Sequence, residues 1–393
     1  MFLPEVLIPP AFFILSSFIF LLAIQLSSQA RVLSSPFIFG TAIYSLHTSY
    51  HLGPHTGVNG LWALLNCVWI LHAASTLFFE QLELPRDYPS WKSAYKCWAD
   101  PQRRIDWKAV SLKSSLPSSL NIVFFAIRRL LKSIGCWMLH LCVVEPSTLL
   151  YFDLKAQDFA PSRQVLLRRL LWSSTRPEID SREIQIRLFV SISWIWMGYL
   201  MLDTCHVLLS IFFVSILRID TPEEWPPLFG SPLEAYSIGR FWVKFWHRMT
   251  VPSCNSTGKY FARRVAGFVP GSRAERLFIA FWAFFLSAIY HAIADWQAGE
   301  PCCPTADFIF FMANFGAAAI ETIAVPIMTT PLWAWQSNSR LYQVIQSERG
   351  RKLAGYVWVL GFFFWAVPKW QYPKVHLMLR EMDDSYFEGL SPL

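Results

Sequence analysis

The chain has 393 residues, of which 54% are hydrophobic, 17% aromatic and only 16% charged, and its mean hydropathy is +0.34. A soluble domain usually carries about 25% charged residues, so this composition excludes an ordinary water-soluble protein and points to a bilayer. The formal charge of +7 sits in clusters between apolar runs, a dispersal that argues against nucleic acid and for cytosolic loops, lipid headgroups or phosphates.

In chain order, the first apolar run is Pro9–Leu26. Ser28-Gln29-Ala30 is a weak match to a signal-peptidase site, but Glu5 precedes the run and no positive charge does, so a retained first membrane helix is expected. Further spans are expected at Gly57–Phe79, Leu188–Leu217, Leu277–Trp296, Asp307–Met328 and Lys352–Val367, each measured against the roughly 20 residues a crossing needs. Ser34–Tyr50 is apolar but interrupted. Leu120–Val144 carries Arg128, Arg129 and Lys132 and reads as a tilted helix, an interfacial helix or a broken pair. Leu188–Leu217 is long for one crossing, with Asp203 and His206 as a potential break. The expected fold is all-α: a polytopic membrane bundle of about six to nine transmembrane helices with its site inside the membrane. The chain reads as a single domain over 1–393, with its motif-bearing core at about 225–335.

Three polar connections punctuate these runs. Glu80–Pro117 reads as a structured surface loop. Glu145–Arg187 carries Arg163, Arg168, Arg169, Arg176, Arg182 and Arg187. Arg218–Arg276 is the longest stretch without a convincing span. The positive-inside tendency assigns all three to the cytosol, which a single crossing by Leu120–Val144 would prevent, so that segment is expected to be re-entrant or interfacial. The sequon Asn255-Ser256-Thr257 falls in one of these basic stretches and is expected to be unused. The eight cysteines form no redox or metal spacing and read mainly as small buried hydrophobes.

Two histidines stand out. His291 lies inside an apolar run, where an ionisable group is costly and therefore a functional candidate, with the proton affinity of a general base. Ser287, His291 and Asp295 recur at four-residue spacing and share one helix face, so Asp295 either orients the imidazole or meets water at the helix end. His247 closes Phe241-Trp242-Val243-Lys244-Phe245-Trp246-His247-Arg248. Trp242 and Trp246 fit an interfacial helix with Arg240, Lys244 and Arg248 facing headgroups. The same stretch continues into Lys259, Arg263, Arg264 and Arg273, a concentration of cations suited to a phosphate-bearing co-substrate. Glu321 interrupts the following apolar run alongside Asn314, and it either lines a polar cavity or is neutral and structural. His47, His51 and His55 are separated by Gly53-Pro54, and the remaining histidines leave no full ligand set, so no metal is expected. Gly-rich phosphate loops, nucleophile elbows and His-Glu-x-x-His are absent from the sequence.

Ser237-Ile-Gly-Arg-Phe-Trp-Val-Lys-Phe-Trp-His-Arg-Met249 resembles the Ser-x-x-x-Phe-Trp-x-x-x-Trp-His/Asn element of wax-synthase-like acyltransferases, relatives of the membrane-bound O-acyltransferases. Phe285-Leu-Ser-Ala-Ile-Tyr-His-Ala292 resembles the membrane-embedded histidine segment of that family, and a following apolar helix with Glu321 is similar too. Val243 stands where Gly is common, and Ala288-Ile289 replaces a small Ser-Gly-type dipeptide, so the pocket is expected to differ in shape. The resemblance extends to fungal members that acetylate terpenoid and meroterpenoid hydroxyls.

It implies a multi-pass enzyme of the endoplasmic reticulum with no tightly bound cofactor and with acyl-CoA, chiefly acetyl-CoA, as co-substrate. A hydrophobic alcohol would arrive from the bilayer. In that reading His291 is the base and His247 orients the thioester or stabilises its oxyanion. Lys244, Arg248, Lys259, Arg263 and Arg264 hold phosphates, while Trp242 and Trp246 exclude water. A long-chain wax or sterol ester synthase, a non-catalytic lipid carrier or scaffold, and a membrane terpene cyclase using Glu321 or Asp295 are the alternatives. The basic stretch speaks against the cyclase.

Overall fold

The computed structural model describes residues 4–53, 58–80, 90–101, 119–171, 179–299, 304–329 and 347–388. Among the described residues every regular element is helical. Among the described residues six helices are long and apolar enough to cross a membrane: Glu5–Ala23, Asn59–Phe79, Ser181–Ile216, Arg273–Ala298, Thr305–Ile323 and Glu348–Met382. They coincide with the six runs expected from hydropathy. Contacts cluster in two units, Met1–Ser115 with Arg248–Phe315, and Leu116–His247 with Gly316–Leu393.

The first unit begins with α1 (Ile8–Ala23), α2 (Ser28–His47) and α3 (Asn59–Ala74, continued by a π turn to Phe79). Small hydroxyls stitch these three together. Trp69 Nε1 donates to Ser16 Oγ at 3.0 Å, which donates to the Ile38 carbonyl at 2.8 Å, and Trp62 Nε1 donates to Ser45 Oγ at 3.1 Å. Such bonds let apolar helices associate where burial of apolar surface from water supplies little drive. Around them Phe20, Ile24, Ile38, Ala42, Trp69, Ala73 and Leu77 form a core that also takes Ala94 and Cys97 from α4 (Ser90–Ala99). Thus part of the Glu80–Pro117 connection is a docked helix; its residues 81–89 and 102–117 lie outside the described residues, as do Pro54 and His55. His51 pairs with Glu5 at 3.2 Å.

In the second unit, α5 (Ser119–Leu139) continues through further helical turns to Phe152, so the ambiguous Leu120–Val144 segment is one unbroken helix. Two of its three cations turn toward protein, while Arg128 is exposed. Lys132 Nζ reaches both carboxylate oxygens of Asp203 at 3.0 and 2.9 Å, and Arg129 donates to the Trp225 carbonyl. Beyond α6 (Leu166–Leu171), α7 (Ser181–Ile211, continued by a π turn to Ile216) carries Asp203 and His206 without a break. Asp203 is therefore an ion-pair partner and not the helix interruption that the sequence allowed.

The arginine-rich connection is largely self-compensated. Glu183, capped onto the α7 start by Asp180, lies between Arg169 at 2.8 Å, Arg187 at 3.0 Å and Arg163 at 3.8 Å. A carboxylate this buried is tolerable only with such partners. Arg182 binds Asp158 at 2.8 Å; burial opposes ionisation there, yet the guanidinium and the Lys155 N–H hold the Asp158 carboxyl below the usual carboxylate range. Arg176 lies outside the described residues.

Candidate active site

The Phe-Trp element belongs to the second unit. Ser237 Oγ accepts from Arg240 N at 3.1 Å and starts the helix α8 (Ile238–Arg240), which passes into a π turn over Phe241–Phe245. The wider π turn closes with Trp246 N–H donating to Phe241 O at 2.7 Å, after which the chain becomes extended. Phe241, Phe245 and Trp246 are consequently buried, while Val243 and Lys244 are exposed. Arg240 pairs with Glu234 and lies over the Tyr236 ring, so its charge is already engaged.

Trp194 on α7 organises the aromatic side. Its ring lies 6.0 Å from Phe241, 6.3 Å from Trp242 and 5.1 Å from Trp246, and also meets Phe363 at 5.5 Å and Trp370 at 5.7 Å. The last two rings come from α12 (Glu348–Glu388). Aromatic pairs of this kind contribute about 0.5–1.5 kcal/mol each beyond buried area. Two glycines make room for the element. A Cβ on Gly198 would come 2.9 Å from the Trp246 ring, and one on Gly230 would overlap the Lys244 carbonyl oxygen. Gly230 N–H also donates to Phe245 O at 2.8 Å. His247 follows, half-buried, with its ring 5.6 Å from Trp246 and 6.1 Å from Phe229.

Glu321 is on α11 (Pro304–Thr329) and meets this same element. Its Oε1 accepts from Ile238 N at 2.6 Å and from Trp358 Nε1 at 2.8 Å, and its Oε2 accepts from Gly239 N at 3.1 Å. Three donors thus converge on this one carboxyl group, and local pattern gives no sign of them.

His291 belongs to the first unit, on α10 (Arg273–Ala298). That helix is capped by Ser272 accepting from Glu275 N at 3.1 Å and stopped by Gly299 at φ +82°. The His291 ring stacks on Phe311 of α11, with centroids 4.6 Å apart and planes at 27°. Asp295 is one turn further along the same face. Ser287 donates to its own helix, at the Ala283 carbonyl, at 2.9 Å. Asn314 is fully buried and donates to the Phe310 carbonyl at 2.8 Å. One turn before Phe311, Asp307 is also fully buried. Asp307 is the first residue of a span expected from hydropathy, and only packing reveals it as an interior group.

The C-terminal end of α10 is pinned to α3 and its neighbour, with Asn59 Nδ2 donating to the Gln297 carbonyl at 3.0 Å. Toward the opposite end, α9 (Val251–Tyr260, extended by a π turn to Val265) packs on α10, and Trp282 Nε1 donates to Thr257 Oγ1 at 3.0 Å. Thr257 of the sequon is thereby buried in a helix contact. Here a cleft of about 570 Å³ is lined by Lys259, Arg263 and Arg264 together with Phe79, Tyr260 and Phe268. Arg263 is also paired with buried Glu275, while Lys259 and Arg264 are exposed. Arg248 is exposed in the same unit, and Lys244 is in the other. Burial pushes the nearby Cys254 thiol up to about 12, which makes it a poor nucleophile.

Residues 225–313, a stretch holding both histidines, match the Membrane bound O-acyl transferase family. The chain is also similar to named fungal acetyltransferases. It is 27% identical to acetyltransferase ple2 of Rhodocybe pseudopiperita over 177 residues, 44% of either chain. It is 28% identical to acetyltransferase spyB of Aspergillus fumigatus over 203 residues, 50% of this chain and 34% of the relative. With acetyltransferase TRI7 of Fusarium sporotrichioides it shares 29% over 196 residues, 47% and 42% of the two. The match spans less than half the length of each of these three relatives. No solved structure matches.

Proposed function

We propose that the protein is an acyl-CoA-dependent O-acyltransferase of the endoplasmic reticulum membrane. It transfers acetyl from acetyl-CoA to a hydroxyl of a hydrophobic, terpenoid-class alcohol in fungal secondary metabolism. The observation that carries this reading is the cationic cleft of Lys259, Arg263 and Arg264 beside the helix that bears His291. Phosphates held at one end leave the extended pantetheine arm to carry the thioester along the helix toward the imidazole. Names of the similar fungal proteins support acetyl as the acyl group.

In the proposed step the imidazole of His291 removes the hydroxyl proton as the alcohol oxygen attacks the thioester carbonyl. His247 donates to the resulting oxyanion. As that intermediate collapses, the carbon–sulfur bond breaks and the thiolate takes the proton back from the imidazolium, giving the ester and free CoA. Trp242 and Trp246 exclude water, and Asp295 with Asn314 supports the base. The whole chain acts as a single membrane domain.

The test incubates membranes holding wild type or His291→Ala with labelled acetyl-CoA and a panel of hydroxylated terpenoids. Label in an ester with wild type alone is expected. Ester formed only from a long-chain acyl-CoA and a fatty alcohol would replace the acetyl reading with wax synthesis. Binding of alcohol with no thioester consumed from either donor would leave a carrier and sink the enzyme.

A further inference from the structure

We propose that Glu321 is a positioning residue: as a carboxylate, it caps the helix that begins at Ile238 and thereby sets the placement of His247. This rests on the reading of His247 as part of the acyl-transfer site. A carboxylate in an apolar helix needs compensation, since charge is costly there. Glu321 receives it from three donors, the backbone N–H groups of Ile238 and Gly239 and the indole of Trp358. The first two are orphan donors of a helix's opening turn, where partial positive charge also accumulates. Each of the three bonds is donated to the carboxylate, so the acceptor-only, ionised form suits the site.

The consequence travels along a short, stiff segment. From Gly239 the chain runs through the π turn closed by Trp246 N–H on Phe241 O, is bonded at Phe245 O by Gly230, and delivers His247. Ser237 supplies the usual side-chain cap one residue before Ile238, at Arg240 N. Glu321 secures the two N–H groups that Ser237 does not reach. A glutamine would keep one acceptor oxygen and turn an NH₂ donor toward a backbone or indole donor. An aspartate would be one methylene too short to meet all three.

The experiment uses full-length protein in detergent and compares wild type, Glu321→Gln and Trp358→Phe in two measurements. Hydrogen exchange over peptides spanning 238–247 should speed by about tenfold in Glu321→Gln, the loss expected for one charge-assisted bond. Trp358→Phe should give a smaller change, and peptides of the first unit should stay as in wild type. Acetyl transfer by Glu321→Gln should lose roughly tenfold in kcat, with the KM for acetyl-CoA little changed. In a His247→Ala background the same substitution should cost almost nothing, because the two act through one placement.

Unchanged exchange at 238–247 would overturn the proposal, as would faster exchange throughout the protein or an equal kcat loss in both backgrounds. Absence of acyl transfer by wild type would defeat the functional reading alone, because exchange still decides whether Glu321 orders the element.

Discussion

The two histidine-bearing regions are built on opposite plans. The Ser237–His247 element is held from several directions: a side-chain cap, a distant carboxylate on two backbone N–H groups, a glycine contact and five rings around Trp194. The α10 segment around His291 has small Ala288 and Ala294 buried, and the Phe311 ring stacks against the histidine. Only 11% of the apolar window of α10 is buried, against 56% for that of α3. A group that stabilises developing charge works by being pre-oriented, whereas a base must also admit a bulky alcohol. Rigid support for one and an accessible helix face for the other are what that division of labour would need.

The largest expected effect probes the open side. His291→Ala should lower acetyl transfer by about 10²–10⁴-fold while leaving membrane yield and melting temperature unchanged. A parallel loss of folded protein would turn His291 into a packing residue and erase the contrast. On the clamped side, Gly230→Ala should destabilise by about 1–3 kcal/mol, because backbone and Cβ cannot share the space at Lys244. Gly198→Ala should act more gently, shifting tryptophan fluorescence as the Trp246 ring is displaced. If both alanines were silent in thermal unfolding and fluorescence, the clamp would not be rigid.

The cleft permits a finer separation. Arg264→Ala should raise the KM for acetyl-CoA several-fold and leave melting unchanged. Arg263→Ala should do the same and also lower the melting temperature, because buried Glu275 loses its guanidinium. Equal KM shifts for alcohol and acetyl-CoA would remove the phosphate assignment. The smallest effect is pH-dependent. Asp158 ionises more readily folded than unfolded, so the stability from its Arg182 contact is complete above the unfolded carboxyl pKa, about 4. It disappears as pH falls through the lower folded value. Arg182→Gln should flatten that acidic limb of a stability–pH profile, and an unchanged limb would assign it to other carboxylates.

Much of the fold was legible because membrane spanning is a local property. A run of about 20 apolar residues satisfies its own backbone as a helix, whatever its neighbours do. Hydropathy marks the six long apolar helices of the described residues but not the role of Asp203, since Lys132 lies 71 positions away and leaves no local mark. Glu183 and Asp158 likewise engage four arginines of the basic connection, a compensation that leaves no local mark. The cleft was half legible. Lys259, Arg263 and Arg264 cluster along the chain, whereas Phe79 joins them only because α3 ends against Tyr260 and Phe261.

Hydropathy, motif order and the spacing of His247 and His291 were thus determined by the sequence itself, because helix periodicity and solvation act over a few residues. Which carboxylate meets which donor was decided by tertiary structure. Glu321 reaches Ile238 from 83 positions away, and Trp194 gathers rings from two other stretches of chain. Compensation of buried charge and packing of flat rings depend on distances in space, and one-dimensional order does not encode those until the chain has folded.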